Sequence, residues 1–258
     1  MKRLAVFPVL ALAAAAAGPL PSGEQVMRAV NSREVGRSCS MQLQLLLRDR
    51  KRGDHIRQIE MARRATLGGY DTVYRVVAPA YIEGIVLLIS EAQNGPGLWM
   101  YFPYAKHLLH IATRGLSALT SDFSCEDLRV TFALKDYIFA NQGVEKLDGV
   151  SCYRIEMRPR EERIAAELGF ERAIGWVRQD IWSVLKADYF DSNGVVFKTF
   201  RATNPETIQG VITFKTISME NYRADHKSEV QVTDVKYGVK LDPGLFVPER
   251  LPEIVTLR

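Results

Sequence analysis

Met41-Gln42-Leu43-Gln44-Leu45-Leu46-Leu47-Arg48 sets the fold class. Met41, Leu43, Leu45 and Leu47 stand two residues apart, with Gln42, Gln44 and Arg48 at the alternate positions. Successive side chains of an extended chain point to opposite faces, so this run reads as a half-buried strand. A polar loop around Arg50 to Asp54 returns into His55-Ile56-Arg57-Gln58-Ile59-Glu60, and the two runs form a hairpin with one apolar and one wet face. Tyr153, Ile155 and Met157 alternate with Arg154, Glu156 and Arg158 in the same way, as Ile212 and Phe214 do with Thr213 and Lys215.

The turn chemistry agrees. Leu147-Asp148-Gly149-Val150 and Ser192-Asn193-Gly194-Val195 put Asp-Gly and Asn-Gly between strand-like runs, the strongest short-range hairpin signal. Pro103-Tyr104-Ala105-Lys106 separates two further apolar runs, Leu98 to Phe102 and Leu108 to Ile111. About ten strands with short connections imply an antiparallel meander. Helix is expected in three places. Ser22-Gly23-Glu24-Gln25 has the form of a capping box and opens a helix over 24–31. Cys125 to Leu134 and Glu161 to Leu168, the latter ended by Gly169, are the other two. The predicted class is α+β, mainly antiparallel β.

The chain opens with Met1-Lys2-Arg3 and then runs uncharged from Leu4 to Ala17, with small residues from Ala13. That order predicts a secretory signal peptide over 1–17, cleaved near Ala17. No Cys at the junction offers a site for an N-terminal lipid, and no later stretch reaches the roughly 18 to 20 apolar residues of a membrane span. Residues 18–258 carry no repeat, linker or change of composition and read as one soluble domain. The composition, 47% hydrophobic, allows a sizeable core. A net charge of +4, with Lys and Arg scattered among Asp and Glu, gives no basic stripe for nucleic acid. Cys39, Cys125 and Cys152 are too few for a disulfide framework; one pair can form in an oxidising compartment, and spacing does not choose it.

Residues for bond chemistry are missing from the sequence pattern. The histidines are His55, His107, His110 and His226; His107 and His110, three apart on a strand, face opposite ways. There is no Cys-x-x-Cys, His-Glu-x-x-His or Gly-x-Ser-x-Gly, and Gly68-Gly69 and Gly95-Pro96-Gly97 lack the strand–loop–helix setting of a phosphate loop. Glu126-Asp127 suits the first turn of a helix, and Glu161-Glu162 a solvated face. The expectation is a protein without enzymatic activity, cofactor or metal.

One stretch is distinctive: Leu98-Trp99-Met100-Tyr101-Phe102-Pro103, followed by Leu119-Thr120-Ser121-Asp122-Phe123-Ser124-Cys125-Glu126-Asp127-Leu128. It resembles the outer-membrane lipoprotein-sorting protein family, relatives of the carriers LolA and LolB. These commonly show a Trp-x-Tyr-x-Pro strand, a basic return strand and a Gly-Ser-Asp-Phe-Ser-Tyr-Glu-Asp-Leu signature. Trp99, Tyr101 and Pro103 match the first part; Ser121, Asp122, Phe123, Ser124, Glu126, Asp127 and Leu128 match the last. Looser matches run from Pro79 and Gly84 through Trp176-Val177-Arg178 and Lys186 to Asp191, to Phe246 and Leu251. Thr120 stands for the usual Gly and Cys125 for the usual Tyr, and Lys106-His107-Leu108-Leu109-His110 is greasier than the usual return strand.

The resemblance implies an incomplete, strongly curved antiparallel β-barrel with a few helices over its open side and an apolar cavity between. An apolar cavity accepts hydrocarbon, and each buried CH₂ is worth about 0.8 kcal/mol, so an acyl chain of about 14 to 16 carbons gains roughly 10 kcal/mol before ordering costs. The implied function is a periplasmic carrier of a lipid, or of the acyl chains of a lipoprotein, toward the outer membrane. It would act as a monomer that meets an inner-membrane exporter or an outer-membrane acceptor. The expected cavity face is Leu43, Leu45, Leu47, Leu87, Ile89, Met100, Phe102, Tyr153, Ile155, Ile212 and Phe214. Trp99, Tyr101 and Phe123 would line a cargo entrance or pack beneath the signature loop, formed by Ser121, Asp122, Phe123, Glu126 and Asp127. Asp122 is expected to cap a helix or bind backbone amides there. Two alternatives stay open: the partner of an efflux-type exporter, carrying a neutral or polycyclic lipid, and a protein-binding adaptor with a filled interior.

Overall fold

Thirteen strands form one sheet, every neighbouring pair antiparallel, in a computed structural model that describes residues 19–49, 53–92 and 97–257. The predicted leader, 1–17, lies outside the described residues. Helix α1 (Gly23–Ser32) comes first, and its start is the expected capping box: Gln25 N donates to Ser22 Oγ while Ser22 N donates to Gln25 Oε1. A meander follows: β1 (Ser38–Asp49), β2 (Gly53–Thr66), β3 (Gly69–Ala78), β4 (Val86–Ser90), β5 (Gly97–Phe102) and β6 (His107–His110). After a long connection come β7 (Tyr137–Leu147) and β8 (Val150–Pro159), then α2 (Glu162–Leu168). The chain continues through β9 (Arg172–Arg178), β10 (Ser183–Phe190), β11 (Val196–Ile208), β12 (Val211–Asn221) and β13 (His226–Tyr237). Short 3₁₀ turns at Pro243–Phe246 and Pro248–Glu253 end it.

The strand order is β6-β5-β4-β3-β2-β1-β13-β12-β11-β10-β9-β8-β7, so β6 and β7, consecutive in sequence, are the two edges. The sheet is open, not a closed barrel. The hairpin turns follow the sequence: Asp148 (φ 51°) and Gly149 (φ 83°) turn β7 into β8, the left-handed pair a two-residue loop needs to match strand twist. Burial alternates along β1 as the Met41–Leu47 spacing requires. β13 joins β1 along its whole length, with a register shift at Gln42/Leu43.

Two expectations are corrected. There are thirteen strands in place of about ten; charged residues sit among apolar ones on one parity of β9 and β10 and on both parities of β13, which hides the period. The helix expected over Cys125 to Leu134 is not formed. Ser124 and Asp127 close on each other, Ser124 N donating to Asp127 Oδ2 (2.8 Å) and Asp127 N to Ser124 Oγ (3.2 Å), which competes with helical bonding. The amides of Val130 and Thr131 then go to the Glu91 carboxylate (2.6 and 3.1 Å). Tertiary partners take the donors that a helix would have used. Helix α2 forms as expected, with Gly169 at φ 78° as its left-handed cap.

Candidate functional site

Because β6 and β7 are opposite edges, the chain between them must cross one face of the sheet. This strap, residues 111–136, and α1 cover that face. Between them and the strands lies a cavity of about 800 Å³. Both β3 and β7 contribute to its wall, nine steps apart in the strand order. Nine strand spacings in a flat sheet would be about 43 Å, so contact with one cavity requires a strongly curled sheet.

The wall is mainly apolar. Met41 and Leu43 on β1, Met61 on β2 and Tyr74 on β3 face Val230 and Val232 on β13, Phe200 and Ala202 on β11, and Ile155 and Val177 on β8 and β9. Met27 and Val30 of α1 and Phe123, Leu128 and Phe132 of the strap supply the roof. Asn31 holds the two covers together, Nδ2 donating to Phe132 O and Oδ1 accepting from Phe132 N, both 2.9 Å.

The strap is pinned by buried polar groups at three places. Asp127 accepts from Lys198 Nζ (2.7 Å), Ser124 Oγ (2.7 Å), Ser124 N (2.8 Å) and Tyr189 OH (2.9 Å). Burial alone would raise its carboxyl, but Lys198 and Ser124 outweigh that and hold it below the usual value. Asp122 reaches β13, where Ser228 Oγ donates to it (2.7 Å) and His226 Nδ1 lies 2.5 Å away. Arg114 bonds Glu167 of α2 (3.1 Å) and Asp136 (2.8 Å), with Glu126 at 3.6 Å. Against the effect of burial, Glu167, Glu126 and Asp136 hold its guanidinium more firmly protonated than usual.

Asp122, His226 and Ser228 have the residue types of a hydrolytic relay without its geometry. Ser228 is fully buried and donates to the carboxylate, not to the imidazole, so no base is placed to activate its hydroxyl. Among the described residues no three His, Cys, Asp or Glu side chains gather to hold a metal, and no helix is long and apolar enough to cross a membrane. The three cysteines are free and buried.

The residues singled out in the sequence separate into groups. Leu43, Phe123, Ile155, Ile212 and Phe214 line the cavity, and so do Ser121, Asp122, Glu126 and Asp127 of the strap. On β12 the more buried positions are Val211 and Thr213; Ile212 and Phe214 are half-buried. Leu45, Leu47, Leu87, Ile89 and Met100 have the inward parity but pack solidly against Ala118, Leu119 and Cys125 of the strap, with Phe102 beside them. Tyr153 stacks on Trp182 at 5.9 Å next to the α1 cluster. Trp99 and Tyr101, one residue out of step with Met100, lie on the other face of the sheet under Phe246, Leu251 and Leu257, away from both cavity and strap. Asp122 neither caps a helix nor binds the loop's own amides; its carboxylate is a latch to β13.

Sequence reasoning missed the polar wall residues Arg33, Arg63, Thr72 and Lys198. For Arg63 a signal exists: it continues the inward parity of Ile59 and Met61, so a cation sits where the pattern calls for an apolar side chain.

The fold recurs in solved structures. An assigned outer-membrane lipoprotein-sorting protein domain from Vibrio parahaemolyticus superposes with a TM-score of 0.81 at 19% identity, covering 89% of this chain and 98% of that one. A DUF1329 family protein from Desulfovibrio piger gives 0.78 at 20% identity, with 89% and 97% covered. A LolA superfamily protein from Nitrosomonas europaea gives 0.68 at 17% identity, with 88% and 98% covered. No curated protein matches the chain. Residues 68–253 match a family model described as "Uncharacterized protein". With that match spanning most of its length, the chain belongs to this family, built on the fold that outer-membrane lipoprotein-sorting, DUF1329 and LolA superfamily proteins share.

Proposed function

We propose that the protein is a non-enzymatic periplasmic carrier that takes a lipid, or the acyl chains of a lipid-modified protein, into the cavity and shields it from water. The carrying observation is the cavity itself: about 800 Å³, walled mainly by aliphatic and aromatic side chains, and roofed by α1 and the strap. Its size falls within the roughly 300 to 1,000 Å³ of small-molecule sites. A filled interior would have favoured the adaptor. The lipoprotein-sorting assignment of the Vibrio parahaemolyticus domain supports the same cargo class. In this reading residues 1–17 are removed on export, 18–258 act as one domain, and Leu43, Phe123, Ile155, Ile212 and Phe214 touch cargo.

The test is native mass spectrometry of the protein purified from its own periplasm, followed by organic extraction. A co-purifying acyl or polycyclic lipid is expected. Protein that arrives empty and also takes up no fluorescent fatty acid would remove the carrier reading.

A further inference from the structure

The apolar cavity has one cationic end. Arg63 of β2 and Arg33, just beyond α1, both line it, and among the described residues no carboxylate lies within ion-pair distance of either. Arg63 is 9% exposed. One of its terminal nitrogens donates to Val35 O, its Nε has no partner, and its guanidinium carbon lies 5.4 Å from the Tyr70 ring centre. Arg33 Nη1 donates to Val30 O at 2.6 Å. The nearby acids are engaged elsewhere. Glu91 accepts from the amides of Val130 and Thr131 and from the Thr131 hydroxyl, and Glu34 accepts from Gly36 N. Burial, and then the charge of Arg63, push Arg33 below the ordinary arginine value, outweighing the more distant charge of Glu91, which acts on it without an ion-pair contact.

A buried guanidinium (Arg63) beside a half-buried one (Arg33), neither in direct contact with a carboxylate, is unfavourable. Backbone carbonyls satisfy one N–H of each and neutralise no charge, and the planar fork that remains matches the oxygens of a carboxylate or phosphate. Thr72, directly across from Arg63 in the β2–β3 register, adds a hydroxyl to the same wall.

We propose that Arg33 and Arg63 form a head-group site, and that the cargo is an anionic amphiphile. Its carboxylate or phosphate sits between the two guanidiniums, and its hydrocarbon lies along Met41, Met61 and the far wall of the cavity. This rests on the carrier reading and narrows it from any lipid to an acidic one.

The test uses delipidated full-length protein and three ligands with the same sixteen-carbon chain: hexadecanoate, hexadecyl phosphate and hexadecanol. Each competes against the neutral dye N-phenyl-1-naphthylamine at low ionic strength. At least one anion is expected to bind about tenfold or more tighter than the alcohol, the range of charge-assisted hydrogen bonds. Which anion leads separates a fatty-acid from a phosphate head group. Arg63→Met should abolish the preference and leave hexadecanol affinity within about twofold. Arg33→Met, at a half-buried position, serves the same purpose if Arg63→Met does not fold, and the wild-type comparison needs neither. Equal binding of all three ligands would overturn the head-group site and leave the carrier reading standing. Failure of all three to displace the dye would overturn both.

Discussion

Replacing Lys198 with Met removes the one cation among the described residues that contacts Asp127, 2.7 Å away, where the two side chains are 12% and 6% exposed. Removing one partner of a buried pair costs about 3–5 kcal/mol, because the other charge stays behind in a poor solvent. Asp127 keeps three donors, Ser124 N, Ser124 Oγ and Tyr189 OH. We therefore place the loss at the lower end, about 3 kcal/mol at pH 7.5, or roughly 6–12 °C in Tm for a chain of this size. The pH dependence separates this from simple loss of packing. In the wild type the Asp127 carboxyl titrates below its ordinary value, so its stabilisation is complete above the unfolded value near 4 and is lost as pH falls through the folded one. Without Lys198, burial dominates and raises the carboxyl, and acidification relieves the variant by protonating it. The gap between wild type and variant in urea denaturation should therefore narrow between pH 7.5 and pH 5. A gap below about 1 kcal/mol at pH 7.5, or one that widens on acidification, would refute the assignment of Asp127–Lys198 as a buried pin of the strap.

Ser22→Ala removes half of the capping box of α1 and should cost about 1 kcal/mol by chemical denaturation, with Ser22→Gly costing less. Ala202→Phe adds a ring inside the cavity; hexadecanol affinity should fall by about tenfold or more while Tm moves by less than about 4 °C, since the ring enters empty space. Burial raises all three thiols, that of Cys125 to about 11, which leaves roughly one thiolate in a thousand at pH 8. Native protein should give no rapid reaction with a thiol-specific disulfide reagent, and denatured protein should titrate three thiols.

Local chemistry made much of the fold legible. The Met41–Leu47 alternation, the Asp148-Gly149 turn and the Ser22/Gln25 cap each act within a few residues, where period and turn type decide the outcome. The strap behaved otherwise. Glu126 and Asp127 look like first-turn acids of a helix, yet besides the local Arg129 and Ser124 they hold Arg114, Lys198 and Tyr189, brought from outside the segment. The candidate site was legible by parity alone. Period two separates Met100 from Trp99 and Tyr101, but it does not say which parity faces the cavity. Nor does it say how far along the inward face the strap packs down. Leu45, Leu47, Leu87 and Ile89 share a core cluster with Leu119 and do not line the cavity, while Leu43, of the same cluster, and Ile155 became wall.

The strand order carries a consequence for how the cavity comes into being. Every pairing joins sequence neighbours except β1 with β13. Begun at β7 and run through β13 into β1, the sheet would be an uninterrupted zigzag ending at β6. The natural chain is that zigzag with its ends moved to the middle, so two independent ladders must find each other along a single seam. Local ladders form early, and the pairing that closes the longest loop comes last. Until the seam closes, the strap joins the outer rims of two unconnected half-sheets and has nothing to span. Zipping β1 to β13 turns it into the string of a bent bow, so that completing the fold and enclosing the cavity are one event. A half-assembled chain therefore has no compartment in which to hold hydrocarbon.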